Sequence, residues 1–385
     1  MFESSIRSTS HDGAPGDLAV VFGERREFVA IGLWDPASPI RLRVLHAGRP
    51  MTVDGAFWRA RLSTALGRRM PLLADPATTG LRLVHGENDE LSGIVVDAYG
   101  STAVVKVYSE AWFPHLGDVL DALIDAATGV GLDLDRVVVR LSRNVAAGDT
   151  HGFTSGRVVL GTEPDGPVEF LENGLTFEAD VLGGQKTGHF LDQRDNRARV
   201  RDLADGRRVL DVFACTGGFS VHAAAGGATE VTSVDLSRRS LATAEANRVH
   251  NLHVPEVRRA RHDVIVGDAF DVMEDLVRRR STFDLVIVDP PSFAQRERDR
   301  AGAIEAYGRL AELGLRLVAD GGVSVQSSCS SRVSNEEFDE VLAAAAAGSG
   351  RSVEVFARTG HALDHPIGFP QGGYLKTAFA TVGRG

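Results

Sequence analysis

Short apolar runs alternate with amphipathic stretches throughout the second half of the chain. From Arg207 onward the apolar runs have the length of strands, and the stretches between them have helical spacing. This alternation is typical of a parallel sheet with crossover helices. The pattern predicts seven strands, at "RVLDVFA" (208–214), "EVTSVDL" (230–236), "HDVIVGD" (262–268), "FDLVIVD" (283–289), "GVSVQSS" (322–328), "VEVFART" (353–359) and "YLKTAFATV" (374–382).

The first half of the chain has shorter apolar runs, which turn residues separate. It predicts a group of short strands, a connecting helix and then a small α+β domain. The predicted elements are strands within 17–47, a helix at 56–70, strands within 81–109, an amphipathic helix at 115–128, a strand at 136–142 and a hairpin at 168–181 around Asn173-Gly174.

Acidic residues mark the ends of the first three predicted strands of the parallel sheet. Ligands of such sheets bind outside the carboxyl ends of the strands. The first strand runs into "LDVFACTGGFS", where Asp211 precedes a glycine turn that does not match G-x-G-x-x-G. Asp235 is placed to bind the two hydroxyls of a ribose, and Asp268 to accept from an adenine amino group. A single strand-end aspartate is more often a helix cap, but three in register describe a nucleoside site without a phosphate cradle. That combination indicates S-adenosylmethionine.

The fourth and fifth strands end in a carboxylate and a thiol. Asp289 is followed by two prolines, which fix the turn stiffly, and Cys329 follows the fifth strand. Because these strands are expected neighbours, Asp289 and Cys329 should face one cleft.

Composition narrows the classes of function. The chain has 385 residues, enough for two or three domains, and a formal net charge of −10, which argues against a general nucleic-acid coat. Arginine nevertheless occurs in local groups that can form basic patches. No apolar run approaches the roughly 20 residues of a membrane span, and the N-terminus lacks a secretory pattern. Two cysteines outside any CxxC pair fit a reducing cytoplasm, and no His/Cys cluster has the spacing of a metal site.

Three motifs in this order, "LDVFACTGGFS", "DPPSF" and "SCS", resemble the class I S-adenosylmethionine-dependent methyltransferases. More narrowly, "KTGHFLDQRDNR" (186–197) and "DHPIGFPQGGYLKTAF" (364–379) resemble the bacterial large-subunit (23S) ribosomal RNA cytosine-C5 methyltransferases. The resemblance covers nearly the whole chain.

The resemblance implies an α/β fold, in which an all-β PUA-like domain and a small α+β domain precede a Rossmann-like, seven-stranded methyltransferase domain. The expected limits are 1–54 for the PUA-like domain, 55–74 for the connecting helix, 75–166 for the α+β domain and 167–385 for the methyltransferase domain. The family usually has a further strand before the position of Met1, so the PUA-like module looks truncated.

The resemblance also implies the roles of individual residues. Cys329 and Asp289 are the expected catalytic residues. The partner implied is 23S rRNA, naked or in an assembling subunit, and a homodimer is one option. The expected cofactor-binding residues are Gln193, Arg194, Asp211, Phe213, Thr216, Gly217, Gly218, Phe219, Asp235, Asp268, Asp289 and Pro290.

A cysteine suits this chemistry because carbon 5 of cytosine is a poor nucleophile. A thiolate that adds to carbon 6 makes an enamine, which attacks the methyl group through carbon 5. Asp289 would bond the ring N3 or the amino group, and the target base must leave its stack. The base that removes the carbon-5 proton is not identified. Asp289 is followed by Pro-Pro-Ser and not by Pro-Cys, so a two-cysteine arrangement is absent, and Cys215 is expected to be a small buried residue.

Three other functions stay open. An exocyclic-amine methyltransferase acting on adenine or guanine would use the "DPP" turn without a thiol, although the aromatic Phe293 comes one place late. A nicotinamide-dependent dehydrogenase would need the missing glycine fingerprint. A non-catalytic ribosome-binding factor would not need Asp289 and Cys329.

Overall fold

The computed structural model describes residues 1–148, 150–184, 186–294 and 296–385. The chain folds into two compact units. Unit 1 comprises Met1–Gly174, Glu178–Leu191 and Leu363–Gly368, and unit 2 comprises Leu175–Phe177, Asp192–Ala362 and Phe369–Gly385. The domain limits expected from the sequence at residues 54, 74 and 166 remain predictions.

Unit 1 begins with an antiparallel sheet of three strands, in the order β1-β2-β3. Helix α1 follows, and its first turn is capped because Asp54 Oδ1 accepts from the amides of Ala56 and Phe57, both at 3.0 Å. The elements are β1 (Leu18–Phe22), β2 (Phe28–Trp34), β3 (Leu42–Ala47), α1 (Gly55–Gly67) and α2 (Met70–Leu73).

Unit 1 also contains a mixed sheet of five strands, in the order β4-β5-β6-β7-β8, in which β6 and β7 pair in parallel. Its core includes Trp58 of α1 and Trp112, whose ring centroids are 5.6 Å apart. The elements are β4 (Gly80–His85), β5 (Ile94–Tyr99), β6 (Thr102–Val107), α3 (Leu116–Gly129), β7 (Arg136–Leu141), α4 (Arg143–Ala146) and β8 (Arg157–Leu160). Strand β8 and helix α4 were not predicted.

The predicted hairpin forms between β9 (Val168–Glu172) and β10 (Leu175–Ala179). Asn173 and Gly174 both have positive φ, 51° and 78°, which is the backbone that a two-residue hairpin turn requires.

A buried ionic network holds unit 1 together. The Arg69 side chain is fully buried, and its two terminal nitrogens donate to the Asp89 carboxylate at 2.8 and 2.7 Å. Arg69 also donates to the carbonyl oxygen of Asp364, and the Asp364 carboxylate accepts from the amide of Arg82, both at 2.8 Å. Asp364 belongs to the "DHP" motif, so this part of the motif has a structural role in unit 1.

Unit 2 contains one sheet of seven strands, in the order β13-β12-β11-β14-β15-β17-β16. The first five strands in this order run parallel, and β17 is antiparallel to both of its neighbours. The elements are α5 (Arg194–Leu203), β11 (Arg208–Val212), α6 (Gly218–Ala225), β12 (Glu230–Asp235), α7 (Arg238–His250), α8 (Pro255–Arg259), β13 (Arg261–Val266), α9 (Ala269–Arg278), β14 (Phe283–Val288), α10 (Arg300–Leu317), β15 (Val318–Ser328), α11 (Asn335–Ser349), β16 (Arg351–Thr359) and β17 (Lys376–Arg384).

The seven predicted strands are all present, and the expected fold class is confirmed. Apolar side chains of β11, β14 and β17 form one core with α9, α10 and α11. Strand β15 begins at Val318, four residues before its predicted start, and β13 ends at Val266, before Asp268. Within the described ranges, no helix is long and apolar enough to cross a membrane.

Candidate active site

The segments that carry the predicted site residues follow the carboxyl ends of neighbouring parallel strands in unit 2. β11 lies between β12 and β14, and β15 pairs with β14. Parallel strands present their carboxyl ends at one edge, so the segments after β11, β12, β14 and β15 converge there.

The glycine turn after β11 has an unusual backbone. Phe213, Cys215 and Gly217 have positive φ values of 66°, 49° and 75°. A Cβ on Gly217 would lie 2.7 Å from the Cβ of Ala244, and one on Gly218 would lie 2.8 Å from Arg197 Cδ. The glycines therefore allow α7 and Arg197 to pack against the turn, which the sequence analysis did not predict.

Asp211 presents a buried carboxylate at the end of β11. Its Oδ2 accepts from Ser220 Oγ at 2.6 Å, while Oδ1 is buried without a hydrogen-bond partner among the described residues. Burial raises the pKa of Asp211 to about 6. A buried acceptor of this kind is costly unless a donor reaches it, and the ammonium group of a bound S-adenosylmethionine is a donor of the right charge.

Asp235, the last residue of β12, holds the backbone of the two loops beside it. Oδ2 accepts from the amide of Cys215 at 2.9 Å, and Oδ1 from the amide of Ser237 at 2.8 Å. Each carboxylate oxygen can accept more than one bond, so ribose hydroxyls can still be bound. The next residue, Leu236, is 72% exposed and offers an apolar surface beside the carboxylate.

Asp268 lies outside β13 and caps helix α9. Its Oδ1 accepts from the amides of Phe270 and Asp271 at 2.9 and 3.4 Å. Cofactor binding by Asp268 remains a prediction, and the structure gives this residue the capping role that strand-end aspartates commonly have.

Asp289 is held by a chain of side-chain hydrogen bonds that begins on β17. Thr377 Oγ1 accepts from Asn196 Nδ2 at 3.1 Å, and Asn196 Nδ2 also donates to Gln193 Oε1 at 2.5 Å. Gln193 Nε2 then donates to Asp289 Oδ1 at 2.9 Å. Burial raises the pKa of Asp289 to about 7, and the nearby charge of Asp192 acts in the same direction.

Cys329 lies against the turn that carries Asp289. It directly follows β15, and its Sγ donates to the carbonyl oxygen of Pro290 at 3.7 Å. Tyr307 of α10 packs on Phe293 with ring centroids 5.1 Å apart. Burial raises the pKa of Tyr307 to about 12, and the charges of Cys329 and Asp289 contribute to the shift. The thiol, the carboxylate and this phenol therefore share one neighbourhood.

The second cysteine has a different environment. Cys215 lies in the glycine turn and is partly buried, where a small buried residue was expected. Burial raises the pKa of its thiol to about 11, and the charge of Asp235 adds to this effect. Cys215 is therefore a neutral thiol at physiological pH.

The remaining residues that were predicted to bind the cofactor lie in the glycine turn or are buried in helices. Phe213 and Thr216 lie in the glycine turn, and the carbonyl of Thr216 accepts from Asn247 Nδ2 at 2.8 Å. Phe219 is buried within α6, and Arg194 is buried at the start of α5. Their cofactor contacts remain predictions.

Several residues near the site were missed by sequence reasoning. The charge of Asp192 raises the pKa of Asp289, and Asn196 donates a hydrogen bond to Gln193. Arg197 packs on the glycine turn, and Lys376 lies near Cys329. A signal for Asn196 was available, since "DQRDN" places it three residues after the predicted Gln193 at the start of a helix.

Comparisons with known proteins bear on the family of this chain. Residues 143–349 match the profile of a family described as S-adenosylmethionine-dependent methyltransferase, and residues 1–47 match that of a PUA-like domain. A "Ribosomal RNA large subunit methyltransferase" of Deinococcus radiodurans is 48% identical and is aligned over 98% of this chain and 92% of its own length. A "Ribosomal RNA large subunit methyltransferase I" of Aeromonas salmonicida is 32% identical, with 98% and 93% covered.

Solved structures share the fold. A candidate SAM-dependent methyltransferase from Streptococcus mutans superposes with a TM-score of 0.82 at 21% identity, over 99% of this chain and 94% of that chain. SMU.776, a candidate methyltransferase in complex with SAH, gives a TM-score of 0.80 at 21% identity, over 96% and 92%.

Proposed function

Because the chain belongs to the family of S-adenosylmethionine-dependent methyltransferases that carry a PUA-like domain, we propose that it methylates carbon 5 of a cytosine in 23S ribosomal RNA, with Cys329 as the nucleophile. The names of its relatives support large-subunit ribosomal RNA as the substrate. The contact of Cys329 Sγ with the turn that carries Asp289 is the observation that carries the chemistry.

The cofactor fits the residues at the carboxyl edge of the sheet. When bound, S-adenosylmethionine supplies an electrophilic methyl group. Asp211 would accept from its ammonium group through the buried Oδ1, and Asp235 would accept from its ribose hydroxyls. The exposed Leu236 would cover part of its adenine.

Cys329 supplies the covalent step. Its thiolate attacks carbon 6, which forms the S–C6 bond and moves the C5–C6 electron pair to carbon 5. Carbon 5 takes the methyl group and then loses its proton to a base. The electrons of that C–H bond restore the C5–C6 double bond, and the S–C6 bond breaks to return the thiolate.

Asp289 is suited to activate the base at neutral pH. With a pKa of about 7 it is protonated in a large fraction of molecules, and a carboxylic acid can donate to the ring N3. Gln193 bonds to Oδ1, so Oδ2 would face the cytosine. Protonation at N3 lowers the electron density at carbon 6 and favours attack by the thiolate.

The test is methyl transfer to 23S rRNA transcripts, followed by identification of the nucleoside by mass spectrometry. The proposal expects 5-methylcytidine from the wild type and none from Cys329→Ser. N6-methyladenosine or N2-methylguanosine that persists in Cys329→Ser would instead establish the exocyclic-amine reaction.

A further inference from the structure

Lys376 is a buried lysine next to the strand that ends at the thiol. It is the first residue of β17, and its backbone pairs with Ser328, the residue before Cys329. Only 8% of its surface is exposed, although lysine is rarely buried in proteins. The chain has only three lysines among its 42 lysine and arginine residues, so this position is one of few that use an amine.

The Lys376 ammonium holds the segment that follows Cys329. Nζ donates to the carbonyl oxygens of Ser330 and Val333, both at 2.6 Å. This segment runs from Cys329 to Ser334, the N-cap of α11. The two bonds fix the backbone of this segment at Ser330, one residue after the thiol, and at Val333, four residues after it.

The charge of Lys376 also acts on the thiol. Burial lowers the pKa of Lys376 to about 8, and the charge of Cys329 opposes that shift. The interaction is reciprocal, so an ammonium that is favoured by a thiolate must in turn favour the thiolate. Two acids also lie in this neighbourhood: Tyr307 from α10, which is neutral at physiological pH, and Asp289 from the turn after β14. Lys376 is therefore a positive group that can offset a charge on the sulfur.

We propose that Lys376 is a positioning residue for Cys329, which fixes the segment that carries the thiol and stabilises its thiolate. The thiolate is the form of cysteine that attacks, and a nearby lysine is a known means of lowering a thiol pKa below the usual value of about 8.5. The inference rests on the proposed function for the purpose of the thiolate, but the ionisation itself can be measured without RNA.

The test is the rate at which iodoacetamide alkylates Cys329 in the full-length protein, as a function of pH. Mass spectrometry of peptides resolves Cys329 from Cys215, which serves as an internal reference. The wild type should show a Cys329 pKa below that of a free thiol. Lys376→Met should slow alkylation at pH 7 about ten-fold, the effect of a pKa one unit higher, and Lys376→Arg should restore the rate.

The matched control is Lys186→Met, the same change at an exposed lysine of unit 1, which should leave the Cys329 profile unchanged. Folding of each variant is checked by calorimetric binding of S-adenosylmethionine. A folded Lys376→Met variant with the wild-type profile would overturn the proposal. If Lys376→Met does not fold, the wild type and Lys376→Arg decide. A wild-type Cys329 pKa at or above that of a free thiol would overturn the proposal. A Cys329 pKa below that of a free thiol, in both the wild type and Lys376→Arg, would support the proposal.

Failure of this inference and failure of the proposed function give different results. A thiolate that depends on Lys376 in an enzyme that never forms 5-methylcytidine contradicts only the proposed reaction. If the enzyme forms 5-methylcytidine but the pKa of Cys329 does not depend on Lys376, only the role proposed for Lys376 is contradicted.

Discussion

Removal of the Asp235 carboxylate should weaken cofactor binding by about ten- to hundred-fold. Asp235 is the strand-end acceptor proposed for the ribose, and hydrogen bonds to a charged group contribute roughly 1.5–3 kcal/mol each. Asp235→Ala removes that acceptor together with the bonds from the amides of Cys215 and Ser237. A ten-fold loss of affinity corresponds to the loss of one hydrogen bond to the ribose. A hundred-fold loss also includes loosening of the glycine turn, which loses its bond from the Cys215 amide to Asp235.

Isothermal titration calorimetry with S-adenosylmethionine measures this effect directly. Asp263→Ala is the matched control, because Asp263 lies on the neighbouring strand β13 and pairs with Arg261 at the surface. Asp235→Asn separates the two contributions, since it retains one oxygen acceptor for the backbone but loses the charge. An unchanged dissociation constant in Asp235→Ala would refute the assignment of the ribose site.

Three further predictions concern stability, pH and RNA. Arg69→Met should destabilise unit 1 by about 3 kcal/mol in chemical denaturation, because Asp89 loses its buried partner and keeps only the ion pair with the partly exposed Arg68; a loss below 1 kcal/mol would contradict this. Because burial raises the pKa of Asp289 to about 7, the folded chain retains a proton that the unfolded chain releases near pH 4. The free energy of unfolding of the wild type should therefore fall as the pH rises from about 4 to about 7. Denaturation at pH 5 and at pH 8 should show a smaller fall for Asp289→Asn than for the wild type. RNA affinity should decrease with salt, and replacing the exposed Arg25 and Arg26 by glutamine should reduce the slope of log K against log[salt]; an unchanged slope would exclude these two arginines from phosphate contacts.

The sequence predicted the sheet of unit 2 well because its strands are continuous apolar runs bounded by turn residues. It also placed Asp289 and Cys329 together, since they follow strands that were expected to be neighbours. Asp268 does not end its strand as predicted, because β13 stops at Val266 and the Asp268 carboxylate caps the next helix; its binding of the cofactor stays a prediction. The arginine groups were misleading in part, since Arg69 is buried on Asp89.

Helix α5 shows why other parts could not be predicted from hydrophobic pattern. Its buried side chains include Arg194, Asn196 and Arg197, so polar residues occupy positions where periodicity expects apolar ones. Contacts between segments that are far apart in the sequence could not be predicted either. Arg69 bonds to Asp364, 295 residues away, and Lys376 reaches the segment after Cys329 only because β17 returns antiparallel beside β15.

The most direct test of the central claim is trapping of the covalent intermediate. RNA that contains 5-fluorocytidine is incubated with the full-length enzyme and S-adenosylmethionine, and the products are separated on a denaturing gel. Fluorine cannot leave carbon 5 as a proton does, so the S–C6 bond should persist. A stable protein–RNA adduct is expected in the wild type and in Cys215→Ala, and none in Cys329→Ala, which should still bind S-adenosylmethionine. An adduct that persists in Cys329→Ala, or its absence from a wild-type enzyme that forms 5-methylcytidine on the same RNA sequence, would contradict it.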